Sequence, residues 1–305
     1  MPTVSVIMPS YNHKRYITES IESIINQTYH DWELIIIDDA SQDRSQEIIE
    51  NYTNRDSRIK AIFHGQNRGI SYTMNESLEI SKGDYIGLTA SDDIWLPNKL
   101  ERQLEVLNQN KNVIVWSDAY IINAEGENTG QLWIQRYKAQ QKNKNGNLLF
   151  DILRNGFICG QSVLFNREFV STTRYDPRLI YANDYKFMID LAENHEFVFI
   201  PEPLVKYRVH ETNTIKCNKS LWFRDMIIIY DKVLERYDKI LPHKLKGKLF
   251  HRMSKYFLAR KRLRFSRYYL WQAFKQNPFK ACYVIHLLQS FFSLICNNIS
   301  CSETS

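Results

Sequence analysis

Two pairs of adjacent acids, Asp38 with Asp39 and Asp92 with Asp93, each close an apolar run: WELIIIDDAS (32–41) and DYIGLTASDD (84–93). Neighbouring carboxylates repel and raise one another's pKa, so a pair at the mouth of a buried strand is unfavourable unless a cation or hydrogen-bond donors relieve it. Oxygen ligands there suit Mg2+ or Mn2+, which take one or two protein carboxylates and complete their shell with phosphate oxygens and water. The chemistry indicated at Asp92 and Asp93 is a metal-diphosphate site. The plainer alternative is that one acid caps the helix near Pro97 and the other is solvated. Asp38 and Asp39, one strand over, could accept hydrogen bonds from a nucleotide base or ribose. Neither GxGxxG nor GxxxxGKS/T occurs, which leaves a dehydrogenase or a P-loop enzyme with little support.

Such acids need elements to position them. Strand patterns VSVIMP (4–9), WELIIIDDAS (32–41), IKAIFHG (59–65) and DYIGLTA (84–90) alternate with helical patterns. The helices cover about 16–26, the stretch holding Ile48, Ile49 and Tyr52, and 70–83, the last closed by Gly83. This alternation predicts an α/β fold, a Rossmann-like, mostly parallel sheet with helices on both faces. Ligands of such sheets sit outside the carboxyl ends of the strands, where Ser10, Tyr11, Asn12, Asp38, Asp39, Asn67, Asp92 and Asp93 gather. Beyond these come a helix over 98–109, strands within VIVWSDAYIINAEG (113–126), and a polar stretch, 128–147, expected as a mobile loop. A strand in 156–168, a helix over 179–194 and a strand over 197–210 follow. In that last strand Lys206 and Arg208 read either as diphosphate partners or as an exposed face. From Leu221 the pattern is helical, so a boundary is expected near 215–220, giving a catalytic domain over 1–217 and a helical C-terminal extension over 218–305.

A chain of 305 residues, 44% hydrophobic and 24% charged, fits a soluble globular protein with a sizeable core. Five cysteines without a CxxC pair argue against a disulfide framework or a zinc site. With an N-terminus lacking a basic-then-apolar leader, they suggest a reducing cytoplasm. Residues 219–280 hold 17 Lys+Arg against 4 Asp+Glu, a net of +13 that leaves the remainder at −7 beneath a total of +6. The basic, amphipathic segment 244–276 could meet anionic lipid at the inner face of the cell membrane, an acidic partner or nucleic acid, or could be a solvated face or a helical cap packed on the catalytic domain. No nucleic-acid module accompanies it. The apolar run 281–296 is 16 residues long and contains His286 and Gln289, too short for a convincing membrane span.

Taken in order, VSVIMPSYN, INQTY, WELIIIDDASQD, NRGISYTMN, SKGDYIGLTASDD and YANDYKFMIDLA resemble the family 2 glycosyltransferases of the GT-A fold, over about residues 2–215. The resemblance implies a nucleoside-diphosphate sugar, with UDP-sugars favoured, a divalent metal (Mn2+ or Mg2+) and inversion at the anomeric carbon. It places Pro9 and Tyr11 against the nucleobase, Asp39 in a hydrogen bond to it, Asn67 near base and ribose, and Asp92 on the ribose. Asp93 would bind the metal, with His210 of YRVH close to metal and diphosphate. Asp184 would be the general base that takes the acceptor's proton, although Asn183 and Asp184 equally suit a helix N-terminus. Ala90 stands where another acid is common and Met74 where arginine is frequent, which leaves Arg68 or another cation to face the diphosphate. The QxxRW motif of processive synthases is missing, so a single addition is expected, on a glycan or lipid-linked acceptor in cell-surface polysaccharide or glycoconjugate assembly. A non-catalytic nucleotide-sugar or glycan-binding scaffold and a nucleotidyltransferase are the alternatives. Trp95 and Trp133 read as packing residues before sugar platforms, and His13, Lys14 and Arg15 as the start of a helix.

Overall fold

Strand β1 (Val4–Ser10) shows no polar alternation: Val4, Val6, Ile7 and Met8 are all fully buried, as expected when both faces of a parallel strand are covered. It lies in parallel between β2 (Trp32–Asp38) and β4 (Tyr85–Leu88), with Val4 opposite both Trp32 and Tyr85. Outside β2 runs β3 (Ile59–Phe63), again parallel. The connections are α1 (Ile17–Ile25), α2 (Ser45–Thr53) and α3 (Ile70–Ile80). Ile17, Ile21 and Ile24 of α1 are buried in one core with Val6, Met8, Leu34 and Ile36 of the sheet. Each such burial is worth roughly 1.5–3 kcal/mol.

The computed structural model describes residues 1–140, 142, 144–211, 213 and 219–287. Its backbone divides into two compact units, Met1–Lys216 and Cys217–Ser305. In the first, the chain continues through β5 (Ile94–Trp95), α4 (Lys99–Gln109), β6 (Val113–Ile122), β7 (Asn128–Leu132), α5 (Trp133–Arg136), α6 (Leu149–Arg154), β8 (Leu164–Asn166), α7 (Asn183–Asn194) and β9 (Glu196–Arg208). The nine strands form one sheet in the order β3-β2-β1-β4-β8-β6-β9-β5, with β7 on β6. β8 runs antiparallel between β4 and β6, and β9 returns parallel to β6. The register of that last pair shifts around Ser117 and Asp118, opposite Pro203, which has no N–H to give to a ladder. The predicted α/β architecture with a mostly parallel sheet is the one observed.

Three expectations are corrected. The stretch 128–147 is not one long loop: it opens with β7 and α5, because Trp133 and Ile134 are buried and the Ile134 N–H donates to Asp118 Oδ1 at 3.1 Å. Gly83 does not cap α3, which ends at Ile80. A Cβ on Gly83 would lie 2.4 Å from the Ser5 nitrogen, so glycine is needed there for close approach to β1. The strand expected within 156–168 is confined to β8, since residues Gly160–Ser162 coil into a 3₁₀ turn before it.

The described residues of the second unit include α8 (Lys219–Tyr237), α9 (His243–Ala259) and α10 (Leu263–Gln276). Ile229, Tyr230, Val233, Leu249, Met253 and Leu270 are buried in it. At Gly247 the helices α9 and α10 come close: a Cβ there would sit 3.1 Å from that of Gln276. Among the described residues no helix is long and apolar enough to cross a membrane. The apolar run 281–296 extends beyond the described residues.

Candidate active site

The two acids after β2 take different tasks. Asp38 is fully buried and ties the loop together, accepting from Ser10 Oγ (2.9 Å), the Ser41 N–H (2.8 Å), Ser41 Oγ (2.6 Å) and Gln46 Nε2 (2.9 Å). Asp39 accepts from the backbone N–H groups of Arg68 and Gly69, both at 2.8 Å, and lies 2.7 Å from His64 Nδ1. The other ring nitrogen of His64 is 2.8 Å from Glu76 Oε2. Burial would lower the pKa of His64, but its bonds to Asp39 and Glu76 outweigh that and raise it. Gly69, at φ 87°, holds the left-handed conformation that turns this loop into α3.

Around that loop, Pro9 is half-buried in β1 opposite Ile37, whereas Tyr11, Asn67 and Arg68 are exposed. The Arg68 guanidinium lies over the Tyr72 ring, 3.1 Å from its centre. A cleft is lined by Phe63, His64, Gly65, Gln66 and Arg68.

After β4 the acids divide again. Asp92 has its Oδ2 2.9 Å from Nε2 of His210, and its ligating oxygen lies within 4.8 Å of a ring nitrogen on each of His210 and His13. Asp93 turns inward: it is 1% exposed, and its Oδ1 accepts the Arg208 backbone N–H at 2.7 Å. Burial and the neighbouring charge of Asp92 push the Asp93 carboxyl well above the usual range, against the opposing pull of Arg208. The Arg208 side chain is buried, not presented on an exposed face. Its Nε donates to the Asp92 carbonyl at 2.8 Å, its Nη1 to Ala124 O at 3.3 Å, and its Nη2 pairs with Glu19.

Asp184 begins α7, with its Oδ1 accepting the Tyr185 N–H at 2.6 Å, a local contact of the helix-start kind. The residue is exposed, yet dense surroundings raise its carboxyl pKa; solvent access limits that rise. Burial raises the Tyr137 hydroxyl pKa and the charge of Asp184 adds to it. Burial does the same to Tyr207, followed by the charges of Asp93, Tyr137 and Asp92. Trp133 joins the two tyrosines, stacked on Tyr137 at 4.3 Å and edge-on to Tyr207 at 4.8 Å. Trp95 is a core residue: a Cβ on Gly87 would meet its ring at 2.7 Å.

Sequence reasoning passed over His64, took His13 only as the start of a helix, which begins later, at Ile17, and read Arg208 as a diphosphate partner or an exposed face when it is buried. His13 was readable from its place one residue past SYN at a strand end, and His64 from its place at the end of β3 ahead of a helix carrying Glu76. Burial of Arg208 left no trace in a strand of alternating residues.

The model of the family described as Glycosyl transferase family 2 matches residues 5–172. An uncharacterized glycosyltransferase of Methanocaldococcus jannaschii is 32% identical over 212 residues, 68% of this chain and 71% of that protein. The Escherichia coli protein named UDP-Glc:alpha-D-GlcNAc-diphosphoundecaprenol beta-1,3-glucosyltransferase WfgD is 29% identical over 218 residues, 71% of this chain and 80% of its own. Among solved structures, S. aureus TarS 1–349 in complex with UDP-GlcNAc superposes with a TM-score of 0.69 at 16% identity, covering 89% of this chain and 81% of that one, a likeness of fold. A family match across more than half of the chain, on a sheet of this topology, makes the kinship plain: the chain belongs to glycosyltransferase family 2 and is a glycosyltransferase of the GT-A fold.

Proposed function

We propose that this enzyme moves a sugar from a nucleoside-diphosphate sugar, with a UDP-sugar favoured, to a hydroxyl of a glycan or lipid-linked acceptor in cell-surface polysaccharide assembly, with inversion at the anomeric carbon. The observation that carries this reading is the meeting of Asp92 with His210 and His13 at the mouth of the sheet, on the same edge as the loop organised by Asp39. The names of the Escherichia coli relative and of the TarS complex, a UDP-glucose transferase and a UDP-GlcNAc complex, support the choice of donor and of acceptor class.

The donor set fits a divalent cation: a carboxylate and two imidazoles from separate segments converge, and the Asp92 side chain keeps 11% of its surface open. We assign the cation to Asp92 and His210 in place of Asp93, whose carboxyl is shut in and engaged by Arg208. A divalent ion bound there offsets the charge that builds on the departing diphosphate. Asp39 reads the base: Oδ2 takes one backbone N–H and retains a lone pair for a base N–H. Pro9 and the exposed ring of Tyr11 flank that base, Asn67 borders the ribose, and the exposed Arg68 faces the diphosphate. Asp184 accepts the proton of the attacking hydroxyl, and its raised pKa makes it a stronger base than a free aspartate.

The second unit supports a peripheral position at the inner face of the membrane. Leu258, Leu263, Phe265, Tyr268 and Trp271 are exposed among Arg260, Lys261, Arg262, Arg264 and Lys275, and no acid occurs between 258 and 280. Apolar anchors ringed by cations suit anionic headgroups.

The test is release of nucleoside diphosphate from a panel of nucleotide sugars with Mn2+ or Mg2+. Asp92→Ala should lower turnover by at least about 100-fold, the scale of lost transition-state charge stabilisation. Wild-type turnover by Asp92→Ala would sink the assignment.

A further inference from the structure

Three segments remote in sequence deliver the cluster: His13 from the turn after β1, Asp92 from the loop after β4, and His210 two residues past β9. Each is held from behind. His13 has its backbone N–H on Ser45 Oγ at 3.1 Å, while its carbonyl accepts the N–H groups of Tyr16 and Ile17 at 2.9 Å. Its Nδ1 sits 2.7 Å from Ser91 Oγ, which fixes the ring. The His210 ring packs on Tyr16 at 4.9 Å and stands edge-on to His13 at 5.9 Å. The Asp92 backbone is pinned by Arg208. Ligands braced by such outer partners are what a metal site requires, because ring orientation and tautomer are set before the ion arrives.

The donor types also discriminate. Mg2+ demands octahedral oxygen ligands and gives up water reluctantly, whereas imidazole nitrogen suits first-row transition ions, whose affinities rise from Mn2+ through Co2+. Two imidazoles beside a single carboxylate tilt the site away from Mg2+. Resting on the reading of Asp92 and His210 given above, we propose that His13 is a third protein ligand of the cation, and that the resulting two-imidazole, one-carboxylate set selects a transition ion over Mg2+.

The test uses the full chain, stripped of metal with a chelator and titrated with Co2+ or Mg2+ alone, without donor. Binding is followed by calorimetry and by the visible absorption of bound Co2+, which reports nitrogen ligation. Wild type should bind Co2+ at least about 10-fold more tightly than Mg2+. His13→Asn should weaken Co2+ by on the order of 10–100-fold, a loss seen even when only a ligand's outer partner is removed, change its spectrum, and leave Mg2+ binding where it was. Ser91→Ala, which keeps the imidazole but frees its ring, should show a smaller loss with the spectrum retained. It carries the test if the thermal midpoint of metal-free His13→Asn shows that variant misfolded. Unchanged Co2+ affinity and spectrum in His13→Asn, with both lost in Asp92→Ala, would overturn the role of His13 alone. Equal wild-type affinity for Co2+ and Mg2+ would overturn the selectivity, and no binding by wild type would remove the underlying cation site as well.

Discussion

The backbone N–H of Arg208 donates to Oδ1 of Asp93 across 2.7 Å and so joins the end of β9 to the loop after β4. The same residue's guanidinium, buried, reaches the Asp92 carbonyl, the Ala124 carbonyl and Glu19. Two acids can sit side by side at this strand end because they face different surroundings: Asp93 a backbone donor in a buried place that disfavours its charged form, Asp92 two imidazoles.

Arg208→Met should therefore lower stability by about 2–3 kcal/mol, since buried carbonyls lose their donors. Glu19→Gln should cost well under about 1 kcal/mol, because the Glu19 side chain is 56% exposed. Chemical denaturation of both variants checks the contrast, and equal losses would show that the exposed partner matters as much as the buried one.

Asp184→Asn should reduce kcat by about 10²–10⁴-fold while donor KM stays near wild type, the pattern of a lost general base. A base works only when ionised, so activity should rise with pH through the Asp184 pKa. Because that pKa is raised, the acid limb should lie above the ordinary aspartate value of about 3.9. Rate profiles for wild type and variant make the measurement. A limb that persists in Asp184→Asn belongs to another group.

His64 makes stability depend on pH in a definite direction. Its folded pKa is raised above the unfolded value of about 6.5, so its contribution is complete below that pH and is lost as pH climbs through the folded pKa. Thermal midpoints of wild type and His64→Gln should differ most in mild acid and converge at alkaline pH. Parallel curves would mean that the imidazole stays neutral between Asp39 and Glu76.

Replacing Phe265 and Trp271 together by Ser should abolish sedimentation of the full chain with vesicles containing anionic lipid, and raised salt should weaken wild-type binding, since each cation near such a surface contributes about 1 kcal/mol. Equal binding to neutral vesicles would point to apolar insertion without headgroup attraction.

The parallel half of the sheet was legible because its strands are continuous apolar runs and its acids fall at their ends. WELIIID reads as a strand buried on both faces, and it is one. The other half was harder. β7 and α5 are short and polar outside Leu132, Trp133 and Ile134, and a buried indole cannot be told from a surface one without knowing what covers it. The task of each acid was illegible for a related reason: Asp92 and Asp93 are chemically identical neighbours, and only a partner more than a hundred residues away, Arg208, turns one of them inward.

β9 lies inside the sheet, between β6 and β5, and among the described residues it is the last strand in chain order. Until it emerges during synthesis, β6 presents an open apolar edge, Val113, Val115, Ala119 and Ile121 among its residues, to whatever else is nearby. A ribosome-bound or prematurely ended chain should thus be sticky and inert together, because the segment that shields this edge also carries Arg208 and delivers His210.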